Sequence, residues 1–246
     1  MAVNSICIIA AISEDDINPG ISLSTDMLEL LSLRYQPATS SHKILRDITL
    51  VAKQGQPCLI TGASGSGKTT LLEVIAGLNT GSGGHIRWKG SLVNSRQRRW
   101  LCGMVFQFPE RHFLGLTVAQ ELLLGQRRLD AEHKHQVLRR VGLDSLDLRL
   151  APEQLSGGQQ RRLALAVQIL RHPGILLLDE PTAGLDWQNR HEILNLLNIF
   201  ARDLVMVVAT HEPELFLQWN CLRHQLLDGL LIPMPTSYPG LGTSNG

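Results

Sequence analysis

An α/β fold with a parallel-sheet core, a small antiparallel β region and an inserted helical lobe is predicted for this chain by three observations. Pro57-Cys58-Leu59-Ile60-Thr61 is a short apolar run that opens into a glycine-rich stretch, and Thr70 to Gly77 then has the apolar spacing of a helix ending at glycine. Gly174 to Leu178 is a second apolar run. It breaks abruptly into Asp179-Glu180-Pro181, as expected of a buried parallel strand with carboxylates at its C-terminal edge. Between the two, helical patterns run from about Phe108 to Arg171, with one evident helix over Gln159 to Leu170. The antiparallel region is read at Leu28 to Leu50 and around His85 to Trp88, and a last strand near Leu226 to Ile232.

The first of these elements carries phosphate chemistry. Gly62-Ala63-Ser64-Gly65-Ser66-Gly67-Lys68-Thr69 matches G-x-x-x-x-G-K-[ST], and it stands where that pattern requires, between a strand and a helix. Backbone N–H groups at a helix N-terminus bind phosphate, and glycines allow the close approach. Gly62, Ala63, Ser64, Gly65, Ser66, Gly67, Lys68, Thr69 and Thr70 are therefore expected to hold ATP, with Lys68 reaching the β- and γ-phosphates and Thr69 ligating Mg2+. At average composition the pattern arises by chance in roughly one chain of this length per hundred.

The two carboxylates that end the second run complete this chemistry. Asp179 fits the Mg2+-associated carboxylate of a P-loop nucleoside triphosphatase, and Glu180 fits the base or polariser of an attacking water.

Leu155-Ser156-Gly157-Gly158-Gln159 is more specific still, since five specified residues arise by chance in fewer than about one chain per thousand. A serine hydroxyl and glycine amides at the start of a helix make an anion site. With this pentapeptide the chain resembles the nucleotide-binding domain of ATP-binding cassette (ABC) proteins, from Leu28 to about Leu231. The resemblance implies that Leu155, Ser156, Gly157, Gly158 and Gln159 cap the γ-phosphate of ATP held by a second ATPase subunit. It therefore implies a head-to-tail dimer, of like or unlike subunits, with two ATP molecules at its interface.

The resemblance extends to single residues. Tyr35 matches the aromatic that stacks on adenine, with an ordinary strand aromatic as the alternative. Gln107 matches the glutamine that senses Mg2+ and the attacking water, so Thr69, Gln107 and Asp179 are the implied metal set. Asp186, in Ala183-Gly184-Leu185-Asp186, resembles the aspartate that couples the two ATP sites, although Trp187 stands where the family usually has proline. His211, after the strand-like Leu204 to Thr210, matches the histidine that hydrogen-bonds the γ-phosphate. Hydrolysis then needs no covalent intermediate: Lys68 and His211 stabilise charge while Glu180 activates water.

Composition sets the outer bounds. At 246 residues the chain is long enough for a substantial core, and a net charge of +1 gives no case for nucleic acid. Cys7, Cys58, Cys102 and Cys221 show no paired spacing, which favours reduced thiols over disulfides or zinc. No apolar stretch reaches the roughly 18 residues of a membrane span. Residues 1–26 lack a basic n-region and carry Glu14, Asp15 and Asp16, so they are read as an extension outside an ABC ATPase domain of residues 27–232 rather than as a targeting peptide. Residues 233–246, rich in Pro, Gly, Ser and Thr, are read as a flexible tail. His133 and His135 in a charged helical stretch are read as solvated, as is the basic run Arg96, Arg98, Arg99, taken as a loop.

The segment Phe108-Pro109-Glu110-Arg111-His112-Phe113-Leu114, followed by Thr117-Val118, looks like that of energy-coupling-factor (ECF) and cobalt-type importer ATPases. In that group the region receives a short helix from an integral membrane subunit. Phe108, Pro109, Phe113 and Leu114 would form the apolar groove and Glu110 and Arg111 its polar rim; packing of the helical lobe is the alternative. The resemblance implies an ATPase peripheral to the cytoplasmic side of a membrane, powering uptake of a vitamin or a transition-metal ion. An ATPase of another importer or exporter subfamily, or a soluble ABC switch, are the alternatives at this stage.

Overall fold

The computed structural model describes residues 26–80, 83–126 and 129–235. The expected N-terminal extension up to residue 25, Cys7 with it, and residues 236–246 of the expected tail lie outside the described residues, while Pro233 and Met234, expected in that flexible tail, belong to the last strand. In chain order the strands are β1 (Met27–Tyr35), β2 (Leu45–Lys53), β3 (Cys58–Thr61), β4 (Gly83–Trp88), β5 (Ser91–Leu92), β6 (Cys102–Val105), β7 (Ile175–Asp179), β8 (Val205–Ala209), β9 (Leu222–Leu227) and β10 (Leu230–Met234). The helices are α1 (Lys68–Ala76), α2 (Ser95–Leu101), α3 (Val118–Leu123), α4 (Ala131–Arg140), α5 (Gly157–Ile169) and α6 (Trp187–Phe200).

The strands form a sheet in the order β5-β4-β1-β2-β10-β9-β3-β8-β7-β6. Strands β9, β3, β8, β7 and β6 run parallel, while β5, β4, β1 and β2 pair antiparallel. All residues of β7 and β8 are buried, so their runs are continuously apolar rather than alternating, up to Asp179 at the end of β7. Their side chains still divide by the two-residue period of a strand. Leu176, Leu178, Met206 and Val208 join the core under α3 to α6, whereas Ile175, Leu177, Val205 and Val207 join the core shared by α1 and the antiparallel strands. Strand β2 alternates instead, with Ile48, Leu50 and Ala52 buried between exposed neighbours, as expected where one face meets water.

Two expectations are corrected on the α1 side of the sheet. The run Arg96 to Arg99 is no solvated loop; it lies on α2, which Asn94 and Gln97 start with a reciprocal capping box. Arg98 is buried and donates to the carbonyls of Ile75, Val74 and Val93 at 3.1, 3.3 and 3.0 Å, while Arg99 Nε donates to Gly77 O at 2.9 Å. The last carbonyls of α1 lack intrahelical partners and carry partial negative charge, so cations settle there. The single strand expected near Leu226 to Ile232 is instead the hairpin β9–β10. Asp228 and Gly229 both take positive φ, as the two-residue turn that suits the twist of flanking strands requires.

Between β6 and β7 the described residues form no strand. Helix α3 is capped by Thr117 and α4 by Asp130, and Val118, Leu122, Val137 and Leu138 pack them onto α5 and the sheet. His133, expected to be solvated, stacks its ring on His172 at 4.2 Å, and its Nε2 is buried without a hydrogen-bond partner. Desolvation and the neighbouring imidazole hold its basicity below the ordinary histidine value. His135 is exposed. Cys58, Cys102 and Cys221 are buried free thiols, and burial pushes Cys58 and Cys102 up to about 12.

Candidate functional site

The loop from β3 to α1 folds tightly because its glycines accept backbone that other residues resist. Gly67, the N-cap of α1, has φ 100, and a Cβ there would lie 2.8 Å from Ile44 Cγ2. The loop walls a cavity of about 530 Å³ lined by Ile44, Gly62, Ala63, Ser64, Gly65, Gly67, Lys68, Thr69, Thr70, Gln107, Asp179, Glu180 and His211. Strand ends at the C-terminal edge of the parallel sheet thus deliver the carboxylates and His211 to the mouth of the loop, which is where open α/β sheets bind ligands.

Lys68 is buried, and its ammonium donates to Gly62 O at 2.9 Å and Ala63 O at 3.3 Å, with Glu180 Oε1 at 3.8 Å. Thr69 Oγ1 donates to Asp179 Oδ2 at 2.7 Å. Desolvation holds the Asp179 carboxyl above the usual carboxylate range, and the charge of Glu180 adds to this while the Thr69 hydrogen bond opposes it. Glu180 takes the left-handed backbone conformation, φ 46, which is costly for a residue with a Cβ. Ser66 Oγ, within the loop, is buried and has no hydrogen-bond partner, leaving an unsatisfied polar atom beside the phosphate-binding amides.

Tyr35 ends β1, is half-buried against the core shared with α1, and stands outside the lining of this cavity. Ile44, whose N–H donates to Tyr35 O at 2.9 Å, takes the place by the loop. Sequence reasoning passed over Ile44 because an isoleucine before a strand carries no chemical signal.

Leu155, Ser156, Gly157, Gly158, Gln159 and Asp186 do not line the cavity either. Ser156 caps α5: its hydroxyl accepts from Gln159 N at 3.3 Å, and Gln159 Oε1 accepts from Ser156 N at 2.9 Å. The box leaves the first-turn amides of Gly157 and Gly158 unused. Asp186 caps α6 in the same way, accepting from Asn189 N at 2.9 Å and Asn189 Nδ2 at 2.7 Å. Trp187 therefore occupies the first helical position, where proline is favoured because its missing N–H costs nothing. Its ring is 72% exposed and stacks on His191 at 5.1 Å.

In the segment after Gln107, Pro109 to His112 form a 3-10 turn. Phe108 is exposed under the Arg111 guanidinium at 4.6 Å, and Glu110 is exposed. Pro109, expected on the groove surface, is buried, while Phe113 is half-buried against the helical-lobe core. Leu114 and Leu116 project instead, at 80% and 81% exposure. They are held out because buried Glu121 accepts from Leu114 N at 2.8 Å and Gly115 N at 2.7 Å. Among the described residues no helix is long and apolar enough to cross a membrane.

The chain is similar to known proteins over most of its length. The family model described as "ABC transporter" matches residues 45–183. The chain is 37% identical over 208 residues to ABC transporter I family member 11, chloroplastic, of Arabidopsis thaliana, covering 78% of this chain and 75% of that protein. It is 39% identical over 201 residues to the energy-coupling factor transporter ATP-binding protein EcfA2 of Symbiobacterium thermophilum, covering 76% and 70%. Among solved structures, cbiO1 of Clostridium perfringens, described as part of the ABC transporter complex cbiONQ, superposes with a TM-score of 0.75. It is 28% identical, over 83% of this chain and 86% of that one.

Proposed function

This chain belongs to the ABC transporter family as an ATP-binding subunit and an ATPase, and on that premise we propose that two such cassettes close head to tail around two ATP molecules to drive a solute through separate membrane subunits. The observation that carries the proposal is the separation of two phosphate-binding elements. Gly62 to Gly65 and Gly67 to Thr70 line the cavity with Asp179, Glu180 and His211, whereas the Ser156 end of α5 does not. A second chain would supply its own Gly157 and Gly158 amides and Ser156 hydroxyl to that phosphate.

The residues suit Mg2+, a hard cation that takes oxygen ligands from one or two carboxylates, a hydroxyl and phosphate. Thr69 Oγ1 and Asp179 Oδ2, already 2.7 Å apart, would hold it with Gln107 on the same cavity. Bound there, Mg2+ would neutralise charge on the phosphate oxygens. Lys68 would exchange its two loop carbonyls for phosphate, and the free amides of the loop would take the remaining oxygens. Glu180 would polarise the attacking water, and His211 would stabilise charge on the transferring group. On the nucleoside side the contact proposed here is Ile44, backed by Tyr35.

Within the family, an ECF-type uptake role for a vitamin or a transition-metal ion rests on the relatives named above and on the exposed side chains Phe108, Leu114 and Leu116 next to Gln107. They would take an apolar helix from a membrane subunit, with the ATPase peripheral to the cytoplasmic side. Purification of tagged chain from its native membranes in mild detergent tests this. A multispanning protein with a small substrate-binding membrane protein is the expected company. Soluble factors or nucleic acid alone would overturn the transport role.

A further inference from the structure

Arg161 lies on α5 among Leu163, Ala164 and Leu165 and is only 4% exposed. Its Nη1 donates to Phe106 O at 3.1 Å and its Nη2 to Ala183 O at 3.0 Å, while Nε is buried without a hydrogen-bond partner. Phe106 directly precedes Gln107. Ala183 stands three residues before Asp186, and its own N–H donates to Glu180 O at 3.1 Å. Glu110, in the turn after Gln107, is the carboxylate whose charge acts on the guanidinium, and burial is the larger influence on it.

A buried guanidinium is costly to desolvate, and an apolar side chain of similar length would fill this stripe at lower cost. What arginine adds is a rigid fork of donors that can hold two carbonyls from different segments at fixed separation. We propose that Arg161 is a positioning residue for ATP hydrolysis, its guanidinium holding the Gln107 segment and the Glu180–Asp186 loop in one register on the helix that begins at Ser156. A shift of α5 when its N-terminus meets phosphate then moves Gln107 and Asp186 together. The same link ties the turn bearing Phe108 and Glu110 to the loop bearing Asp186. The kinetic arm of the test rests on the ATPase reading; the exchange arm does not.

Full-length Arg161→Met and Arg161→Lys are compared with the unaltered chain. In nucleotide-free protein, amide hydrogen exchange of Arg161→Met should quicken about tenfold or more in peptides covering both 104–110 and 182–190, because hydrogen bonds to a charged group are among the stronger ones lost. Peptides of β8 should not change. Lysine keeps the charge and stem but lacks the fork, so Arg161→Lys should restore protection in at most one of the two segments; it carries the comparison if the methionine variant does not fold. In steady-state hydrolysis, kcat should fall about tenfold or more with KM within about twofold, and the loss should largely vanish on a Gln107→Ala background, as coupled residues require. Unchanged exchange in both segments, exchange rising evenly through the chain, or an equal kcat loss on both backgrounds overturns the proposal. If the unaltered chain fails to hydrolyse Mg-ATP, the ATPase reading falls and the exchange result alone decides Arg161.

Discussion

Nδ1 of His211 lies 2.8 Å from Oε2 of Glu180, and the His211 backbone N–H donates to the same oxygen at 3.1 Å. The pair therefore shares one carboxylate oxygen, while the other faces Lys68 at 3.8 Å. Glu180 meets both partners from a left-handed backbone at the residue that follows β7. Water polarised by Glu180 would lie between the loop that holds phosphate and the histidine that stabilises it.

Glu180→Gln should bind Mg-ATP with nearly unaltered affinity, lose turnover by about two to four orders of magnitude, and accumulate as an ATP-bound dimer. His211→Ala should cost about two to three orders in kcat. Because the two act as a unit, the double variant should be slower than Glu180→Gln by only a small factor. Single-turnover hydrolysis with size-exclusion chromatography reads all three, and turnover by Glu180→Gln at the unaltered rate removes the carboxylate from its proposed role.

Asp179 ties stability to pH in the direction opposite to a salt-bridged carboxylate. Burial raises its folded-state value above the ordinary 3.8, so the folded chain holds the proton more tightly than the unfolded one. Its contribution to stability accordingly falls as pH rises from 3.8 through the raised value, and the penalty is complete above that value. Asp179→Asn should melt a few degrees higher at pH 7, at roughly 2–4 °C per kcal/mol relieved for a chain of this size. The advantage should shrink toward acid pH, and Mg2+-dependent hydrolysis should be lost. A variant melting at or below the unaltered temperature at neutral pH would refute the burial penalty.

Arg98 supports α1 from outside the cavity. Arg98→Met keeps the buried stem but withdraws three donors from the carbonyls of Val74, Ile75 and Val93. The expected cost is about 2–4 kcal/mol in urea unfolding, since buried acceptors are left unpaired. A midpoint unchanged from the parent chain would show that water replaces the guanidinium.

The central parallel strands and the phosphate loop were legible because burial on both faces writes continuous apolar runs, as at Ile175 to Leu178, and because the loop needs glycines at fixed spacing. Arg98, Arg161 and His133 were not, since a charged side chain reads as solvated unless its place on an apolar stripe is noticed. Arg161, three residues after Gly158 and four before Leu165, offered that clue. The β9–β10 hairpin was also readable in retrospect from Asp228-Gly229 between apolar runs. Pro109 was expected at the surface and is buried, because a short motif says which residues occur and not which way a 3-10 turn points them.

Gly158 connects the start of α5 to the loop of Asp186 by its lack of a side chain. A Cβ there would lie 2.1 Å from Asn189 Oδ1 and 2.6 Å from Asn189 Cγ. Asn189 cannot yield without disturbing the bonds its amide groups make to Asp186 at 2.7 and 2.9 Å. Gly158→Ala should therefore destabilise the chain by about 1–3 kcal/mol, the usual cost of overpacking, and should lower ATP turnover more than melting alone explains. An Asn189→Ala background removes the Oδ1 and Cγ contacts and leaves only the residue 189 Cβ at 3.3 Å, so adding Gly158→Ala should cost markedly less there, no more than about 1 kcal/mol. Urea titration of the four proteins measures the cycle. Equal costs on both backgrounds would mean that Gly158 is needed for its backbone alone and that Asn189 does not carry its effect to Asp186.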